Sequence, residues 1–375
     1  MHGLTDCEAT ALDMRRSVVT CARSAGDGPR VFVERGSRAF ERLAECERFF
    51  DGLKDRPLSA HPRWLKIAHE GLGHDPWLLV AEENGDVQGI LAIADVRSLL
   101  FGRFLVSLPY VNYGGVLTRD AATAGPLIDA AVALAERLNV RYLQLRHDRA
   151  VDHPRLITRE DLKVHMRLDL PPGVDALWKG LTPSVRNQVR KGQKGEFTVG
   201  WGAHALLDEF YDVFSINMRD LGTPVFGRRL FRVILEQFPG AAELCVVRDG
   251  RRAVAGALLL HGSGITEVPS ASTLRTYNKS CANMLLYWHL LARAVERGQE
   301  AFDFGRSSPE SGSHHFKKQW GARASNACWQ FLVRRGEIAS VQRENPRFVY
   351  LIRLWKRLPM RLSQTLGPLL ARSIP

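Results

Sequence analysis

The chain has 375 residues, 45% hydrophobic and 25% charged, enough apolar material for two ordinary soluble domains. Its formal charge of +12 and pI near 9.7 favour anionic partners, whether nucleotides, nucleic acid, acidic headgroups or acidic polymers. Six scattered cysteines without a CxxC pair argue against a disulfide framework or a zinc site and fit a reducing cytoplasm, and no stretch reaches the ~18 uninterrupted apolar residues of a membrane span.

Residues 1–30 hold no apolar core long enough for a signal peptide and read as a disordered segment. A first domain is expected over 31–150. Within it, "WLLVAEENGDVQGILAIA" (77–94) predicts a hairpin turning at Asn84–Gly85. "LPYVNYGGVL" (108–117) ends the next strand. There Tyr110, Asn112 and Tyr113 would line an acceptor groove, with Gly114–Gly115 admitting a ligand to the backbone; a wide turn is the plainer reading. "AVALAERLNVRYLQLR" (131–146) is a helix end, a turn and a strand closing on Arg146.

A polar, aperiodic stretch marks a linker over 151–164, and a second domain follows over 165–335. "TPSVRNQVRKGQKGEF" (182–197) predicts a helix capped by Thr182 with Pro183 in its first turn. Its Arg186, Arg190, Lys191 and Lys194 form a basic stripe, either a solvated face or a seat for a phosphate-rich ligand. "ELCVVRDGRRAVAGALLL" (243–260) then repeats the hairpin, turning at Asp249–Gly250, and "LARAVERGQEAFDFGR" (291–306) repeats the helix–strand unit. Arg306 falls 306 − 146 = 160 residues after Arg146. The repeat implies an α/β (α+β) protein of two similar domains, each a mixed, mostly antiparallel sheet flanked by helices.

Pro269, inside the strand expected over 265–273, marks an edge or a place where pairing stops. If pairing stops, the helix starting near Ala282 and the next strand frame a splayed cleft, with a helix N-terminus on one lip. Asp303 alternates with Phe302 and Phe304 and so faces away from both. It would accept a nucleophile's proton, or else pair with Arg306. Glu267 is a second base candidate, or part of a solvated face. Tyr277 and Asn283 border the helix start, where both would hold donor or acceptor, unless Asn283 simply caps. His314–His315, His147 and His153 lack the further ligands of a metal site, so no metal is expected; Cys281 lacks the partners of a nucleophile.

The stretch 277–322, with Asn283, Leu285–Leu286–Tyr287–Trp288, Asp303–Phe304–Gly305–Arg306–Ser307 and Phe316–Lys317, Trp320–Gly321, resembles the BioF2-like branch of the GNAT acyltransferase superfamily. It looks nearest to the FemAB-related proteins of exosortase/PEP-CTERM systems in bacteria that make exopolysaccharide. The resemblance implies tandem GNAT-like domains and transfer of an acyl or aminoacyl group, from acyl-CoA or aminoacyl-tRNA, to an amine or hydroxyl. It implies that Phe316–Lys317 lines the site, with the lysine countering charge on the reacting group, and that Arg306 and Ser307 contact substrate. Two features depart from the pattern: "TLRTYNKSCANM" has no phosphate-loop glycine, and the helical arm of many Fem ligases is missing. A CoA pyrophosphate would therefore sit on the small-residue helix start Ser280, Cys281 and Ala282, assisted by Lys279 or Arg275. An aminoacyl-tRNA would instead use the stripe with Arg186 and Lys191.

The tail, 336–375, is basic and amphipathic over 343–372. It would either lie on an anionic bilayer or dock on domain one. The expected protein is a cytoplasmic acyltransferase, peripheral at the inner face of the membrane, acting on an envelope or exopolysaccharide precursor. The alternative from another class is a non-catalytic GNAT-derived module that binds nucleotide-sugar or polysaccharide.

Overall fold

The computed structural model describes residues 29–54, 56–98, 101–336 and 352–373. The expected disordered segment and the first part of the tail, through residue 351, therefore lie outside the described residues except at 29–30 and 336.

In the first half of the chain come strands β1 (Arg30–Arg35), β2 (Asp75–Glu83), β3 (Asp86–Ser98), β4 (Gly102–Val106), β5 (Leu117–Thr118), β6 (Tyr142–His147) and β7 (Ile157–Arg159). β8 (Val164–Asp169) also precedes the midpoint of the chain, and the second half gives β9 (Phe197–Gly202), β10 (Ala242–Asp249), β11 (Arg252–His261), β12 (Ile265–Thr273), β13 (Ala301–Ser307), β14 (Arg323–Asn326) and β15 (Cys328–Val333). Helices α1 (Ser37–Glu41), α2 (Leu43–Asp51), α3 (Trp64–Leu72) and α4 (Ala124–Arg137) accompany the first set. Helices α5 (Val174–Gly180), α6 (Pro183–Gln193), α7 (Leu207–Leu221), α8 (Arg228–Gln237), α9 (Ala282–Glu296) and α10 (Gly312–Gln319) accompany the second.

The strands form two sheets of matching order. One runs β1-β2-β3-β4-β6-β15-β7, with β5 on β3; the other runs β9-β10-β11-β12-β13-β8-β14. In each, a hairpin is followed by a third antiparallel strand, then by a parallel neighbour reached through a helix, α4 or α9. The expected tandem of two similar α/β domains, each a mixed, mostly antiparallel sheet with helices, is thus present. The hairpin β2–β3 turns at Asn84 and Gly85, with φ of 52° and 86°, a left-handed pair that asparagine and glycine accept at little cost.

One feature was not foreseen. β15, within the segment expected to be the second domain, pairs antiparallel with β6 of the first sheet. Reciprocally β8, which begins at the last residue of the expected linker and lies in the first half of the chain, pairs with β13 of the second. The exchange has a sequence reason. β8 reads Val-His-Met-Arg-Leu-Asp, and its buried Val164 and Met166 join the core of Phe302, Phe304 and α9. β15 contributes Leu332 to the core under α4 and Phe331 to a small cluster with Phe104 and Tyr142.

A third core is shared by both halves. Trp64, Leu65 and Tyr113 from the first half pack in one cluster with Phe210, Phe231 and Leu258 from the second. Across this join the Cβ that Gly71 of α3 lacks would meet Leu230 of α8 at 3.0 Å. The tail helix, Met360–Ala371, docks chiefly on the second half: Gln364 Nε2 donates to Ser215 Oγ of α7 at 2.9 Å, and Gly367 packs against Val225, while its C-cap Arg372 reaches Gly73 of the first half.

Ending the chain after Ala327 removes β15, leaving β6 with a bare edge and β7 with no partner. Such a protein should lose its single cooperative melt, seen by calorimetry and near-UV dichroism. An unchanged transition would refute the structural role of the exchange.

Candidate active site

β12 and β13 pair in parallel only over Ile265–Glu267 and Ala301–Asp303, with Glu267 directly beside Asp303. Beyond that point they part. On the other side of β12, the ladder with β11 shifts register where Val268 and Pro269 stand opposite Leu259. The splayed gap expected at Pro269 is therefore real, and the missing proline N–H explains where pairing ends.

The gap is occupied from the first domain by the loop after β4. A Cβ on Gly305, whose φ is +74°, would stand 3.1 Å from Asn112 Nδ2 and 3.8 Å from the Val268 carbonyl oxygen. The Tyr110 hydroxyl shares a 2.9 Å hydrogen bond with Ser270 Oγ, and its ring packs among Trp64, Phe226 and Phe231. Tyr110 and Asn112 thus join the domains across the cleft floor instead of forming an open groove wall. Tyr110 and Leu108 hold left-handed φ values of 79° and 51°, a strained backbone that the interdomain contacts keep in place.

Tyr113 reaches furthest. Its hydroxyl donates to Asp303 Oδ2 at 2.6 Å, and its ring stacks on His165 of β8 at 4.4 Å. Asp303 Oδ1 accepts the Gly305 amide at 2.7 Å. Arg167, also on β8, lies 3.8 Å from Asp303 and donates to the Tyr113 oxygen at 3.3 Å. The Asp303–Arg306 ion pair raised as an alternative is not formed; Arg167 takes that place. Asp303 does face away from Phe302 and Phe304, both of which are core.

Glu267 is not on a solvated face. It is buried and bound across the domain boundary by Ser59, whose amide donates to Oε2 at 2.8 Å and whose hydroxyl donates to Oε1. Burial, then the charge on Asp303, pushes its carboxyl up to about 7.

Lys317, on α10, is buried with its ammonium on the Gly305 and Arg306 carbonyl oxygens at 3.1 and 2.8 Å. Burial brings it down to about 8, opposed by Asp303. An ammonium has three donors, so one remains for a ligand. Phe316 packs on Tyr287 at 4.8 Å, which fixes the face of α10 that carries Lys317. Ser307 is buried and accepts from Ser313 Oγ at 3.2 Å. Arg306 and Arg146, matched by the repeat, flank Trp329 of β15 at 5.0 and 5.4 Å. Burial lowers them to about 10 and about 9, and among the described residues neither pairs with a carboxylate.

The donor candidates lie apart from this cluster. α9 begins at Ala282 as expected, but its N-cap is Cys281, with φ 59°, and Asn283 instead accepts from Thr273 Oγ1 at 3.1 Å. Ala282 is fully buried, whereas Lys279 is exposed and Ser280 half-buried. A Cβ on Gly192 of α6 would meet the Cys281 carbonyl oxygen at 3.0 Å, so α6 crowds this helix start. Tyr277 turns towards the β10–β11 hairpin, donating to Asp249 at 3.0 Å. Thr182 caps α6 as foreseen, accepting from the Val185 amide at 3.4 Å. Arg190, Lys191 and Lys194 are exposed, while Arg186 is half-exposed and donates to the Lys179 carbonyl at 3.1 Å.

Ser59, His165, Arg167 and Trp329 escaped the sequence reading. Alternation in β8 would have placed His165 and Arg167 together on the face opposite Val164 and Met166; no local signal marks Ser59. His314 and His315 also gain a neighbour, since Glu310 brings a third ligand-type side chain within 4.8 Å of both.

Residues 183–318 match the family model described as an acetyltransferase (GNAT) domain. The matched stretch begins at α6 and closes just past Lys317, so Glu267, Asp303, Arg306 and Lys317 all belong to the GNAT region. The crystal structure of FemX is similar over 84% of this chain and 98% of its own, at 15% identity and a TM-score of 0.60. The C-terminal domain of a candidate lysylphosphatidylglycerol synthetase from Agrobacterium fabrum is similar over 80% and 93%, at 12% identity and 0.55. L-PGS from Bacillus licheniformis is similar over 85% and 97%, at 14% identity and 0.52. At these identities the likeness is one of fold. No curated protein sequence matches the chain.

Glu267 gives the GNAT region a pH signature. Its folded-state value lies above the ordinary 4.5, so the stability it contributes is complete below about 4.5 and is lost as pH rises through about 7. Glu267→Gln stays neutral throughout. Melting curves should find the variant gaining on the parent across that window, by on the order of 3 kcal/mol. Buried histidines such as His165, lowered to about 4 by burial, act with the opposite sign but in both proteins, and cancel in the difference. A difference that stays flat with pH would contradict this.

Proposed function

We propose that the chain is an acyl- or aminoacyltransferase acting on an envelope or exopolysaccharide precursor, with its reaction centre where β13 leaves β12. The observation that carries this reading is Lys317: a buried ammonium, fixed by two carbonyls at the end of the splay, with one donor left over. The GNAT match, which spans that position, supports a transferase.

In this reading an acceptor amine or hydroxyl attacks the donor's thioester or ester carbonyl. The free N–H of Lys317 meets the oxygen on which negative charge develops. The nucleophile's proton passes to the carboxylates at the strand parting. Asp303, held by the Tyr113 hydroxyl and the Gly305 amide, is one acceptor; Glu267, poised at about 7, shares that role. The proton then leaves with the departing thiol or hydroxyl. Arg306 and Arg146, without carboxylates, suit an anionic part of the substrate.

Two donors are compatible with the chemistry, acyl-CoA and aminoacyl-tRNA. The first would use the α9 start around Lys279 and Ser280, the second the exposed Arg190, Lys191 and Lys194. Mass spectrometry of small molecules and RNA carried through native purification distinguishes them. Changing Arg190, Lys191 and Lys194 to Gln should weaken tRNA retention, reduce its steep salt dependence, and leave CoA binding unchanged. Equal loss of both ligands would contradict separate routes.

Lys317→Met keeps the aliphatic stem and removes the ammonium. Turnover with the donor so identified should fall about 10²–10³-fold, with a stability loss of about 1–3 kcal/mol because the Gly305 and Arg306 carbonyls lose their donor. Full turnover by a folded Lys317→Met protein would end the catalytic reading.

A further inference from the structure

Among the described residues six large aliphatic side chains are strongly exposed: Ile157, Leu221, Leu354, Leu362, Leu366 and Leu369. Four belong to the tail segment 352–373. A fifth, Leu221, stands beside it, because the adjoining Gly222 packs against Ile352 and Lys356.

The helix Met360–Ala371 is turned the opposite way from a helix of a soluble protein. Its docking face is made of small residues: Ser363, Gly367 and Ala371 are buried. Leu362, Leu366 and Leu369 are spaced four and three residues apart, so they share one stripe about 60° wide. That stripe lies on roughly the opposite side from the buried one. The leucines are 49, 42 and 53% exposed. Burying apolar area drives docking, yet this helix holds its apolar area outward.

Charge says what covers it. Residues 352–373 carry Arg353, Lys356, Arg357, Arg361 and Arg372 and no acidic residue, and all five cations are exposed. A second copy of the chain would set this charge against itself. We infer that the face docks on the surface of an anionic lipid bilayer. The leucines enter the boundary between headgroups and acyl chains, and the flanking arginines and lysine meet lipid phosphates. No described helix is long and apolar enough to cross a membrane, so the contact is peripheral. It is independent of the reaction proposed above.

The test is flotation of the full-length chain with vesicles of phosphatidylcholine alone, or containing roughly one third phosphatidylglycerol. The protein should float with the anionic vesicles and not the neutral ones, and added salt should weaken it. Serine at Leu362, Leu366 and Leu369 together should lower partitioning at least about ten-fold without lowering the melting temperature. As a second arm, glutamine at Lys356, Arg357 and Arg361 should remove the preference for phosphatidylglycerol. Absence of flotation, equal flotation with both vesicles, or binding indifferent to both variants overturns the inference. So does a dimer by light scattering that the serine variant converts to monomer, which would make the stripe a self-contact.

Discussion

The reciprocal exchange of β8 and β15 is the constraint on which the rest of the structure depends. Each sheet is completed by a strand drawn from the other half of the sequence. Neither half can satisfy its backbone donors and acceptors, or cover its core, without the other. The two domains are therefore held in a fixed relation by hydrogen-bonded ladders rather than by a linker. A shared apolar core, with Trp64 and Phe231 among its members, adds to that rigidity.

That fixed relation allows a charged cluster to be assembled from distant pieces. Asp303 and Glu267 stand side by side because β12 and β13 are in register at that pair and nowhere beyond it. Two buried carboxylates so placed would repel unless supplied with donors. Tyr113 and Ser59, both from the first domain, supply them, and β8 brings Arg167. β15 brings Trp329, the aromatic surface between Arg306 and Arg146. The exchanged strands thus both close the sheets and furnish the walls of the site. Polar groups in such a cluster are costly if left unpaired, so the arrangement also specifies how the domains meet.

The same logic accounts for the loop at 107–115. A splayed pair of strands leaves backbone groups without ladder partners, and Gly305 has no side chain to cover them. Asn112 and Tyr110 fill that space, at the cost of left-handed backbone at Leu108 and Tyr110. Lys317 covers the carbonyls at the far end of β13. A cation so placed completes the strand end.

Much of the fold was legible because it is written in local patterns. The hairpins at Asn84–Gly85 and Asp249–Gly250, the α6 cap at Thr182, the α9 start at Ala282 and the break at Pro269 each follow from the conformational limits of one or two residues. The 160-residue offset between Arg146 and Arg306 revealed the tandem plan, and alternation put Asp303 on the face away from its phenylalanine neighbours. The sequence by itself also determined that the tail is basic and amphipathic. Only the tertiary structure decided which sheet β8 and β15 would complete, since a strand's alternation tells which face is apolar but not which edge it will pair with. It also decided that Arg167, not Arg306, attends Asp303, and that Ser59 binds Glu267 from 208 residues away. Contacts over such separations come from the packing of whole domains, and no nearby spacing records them.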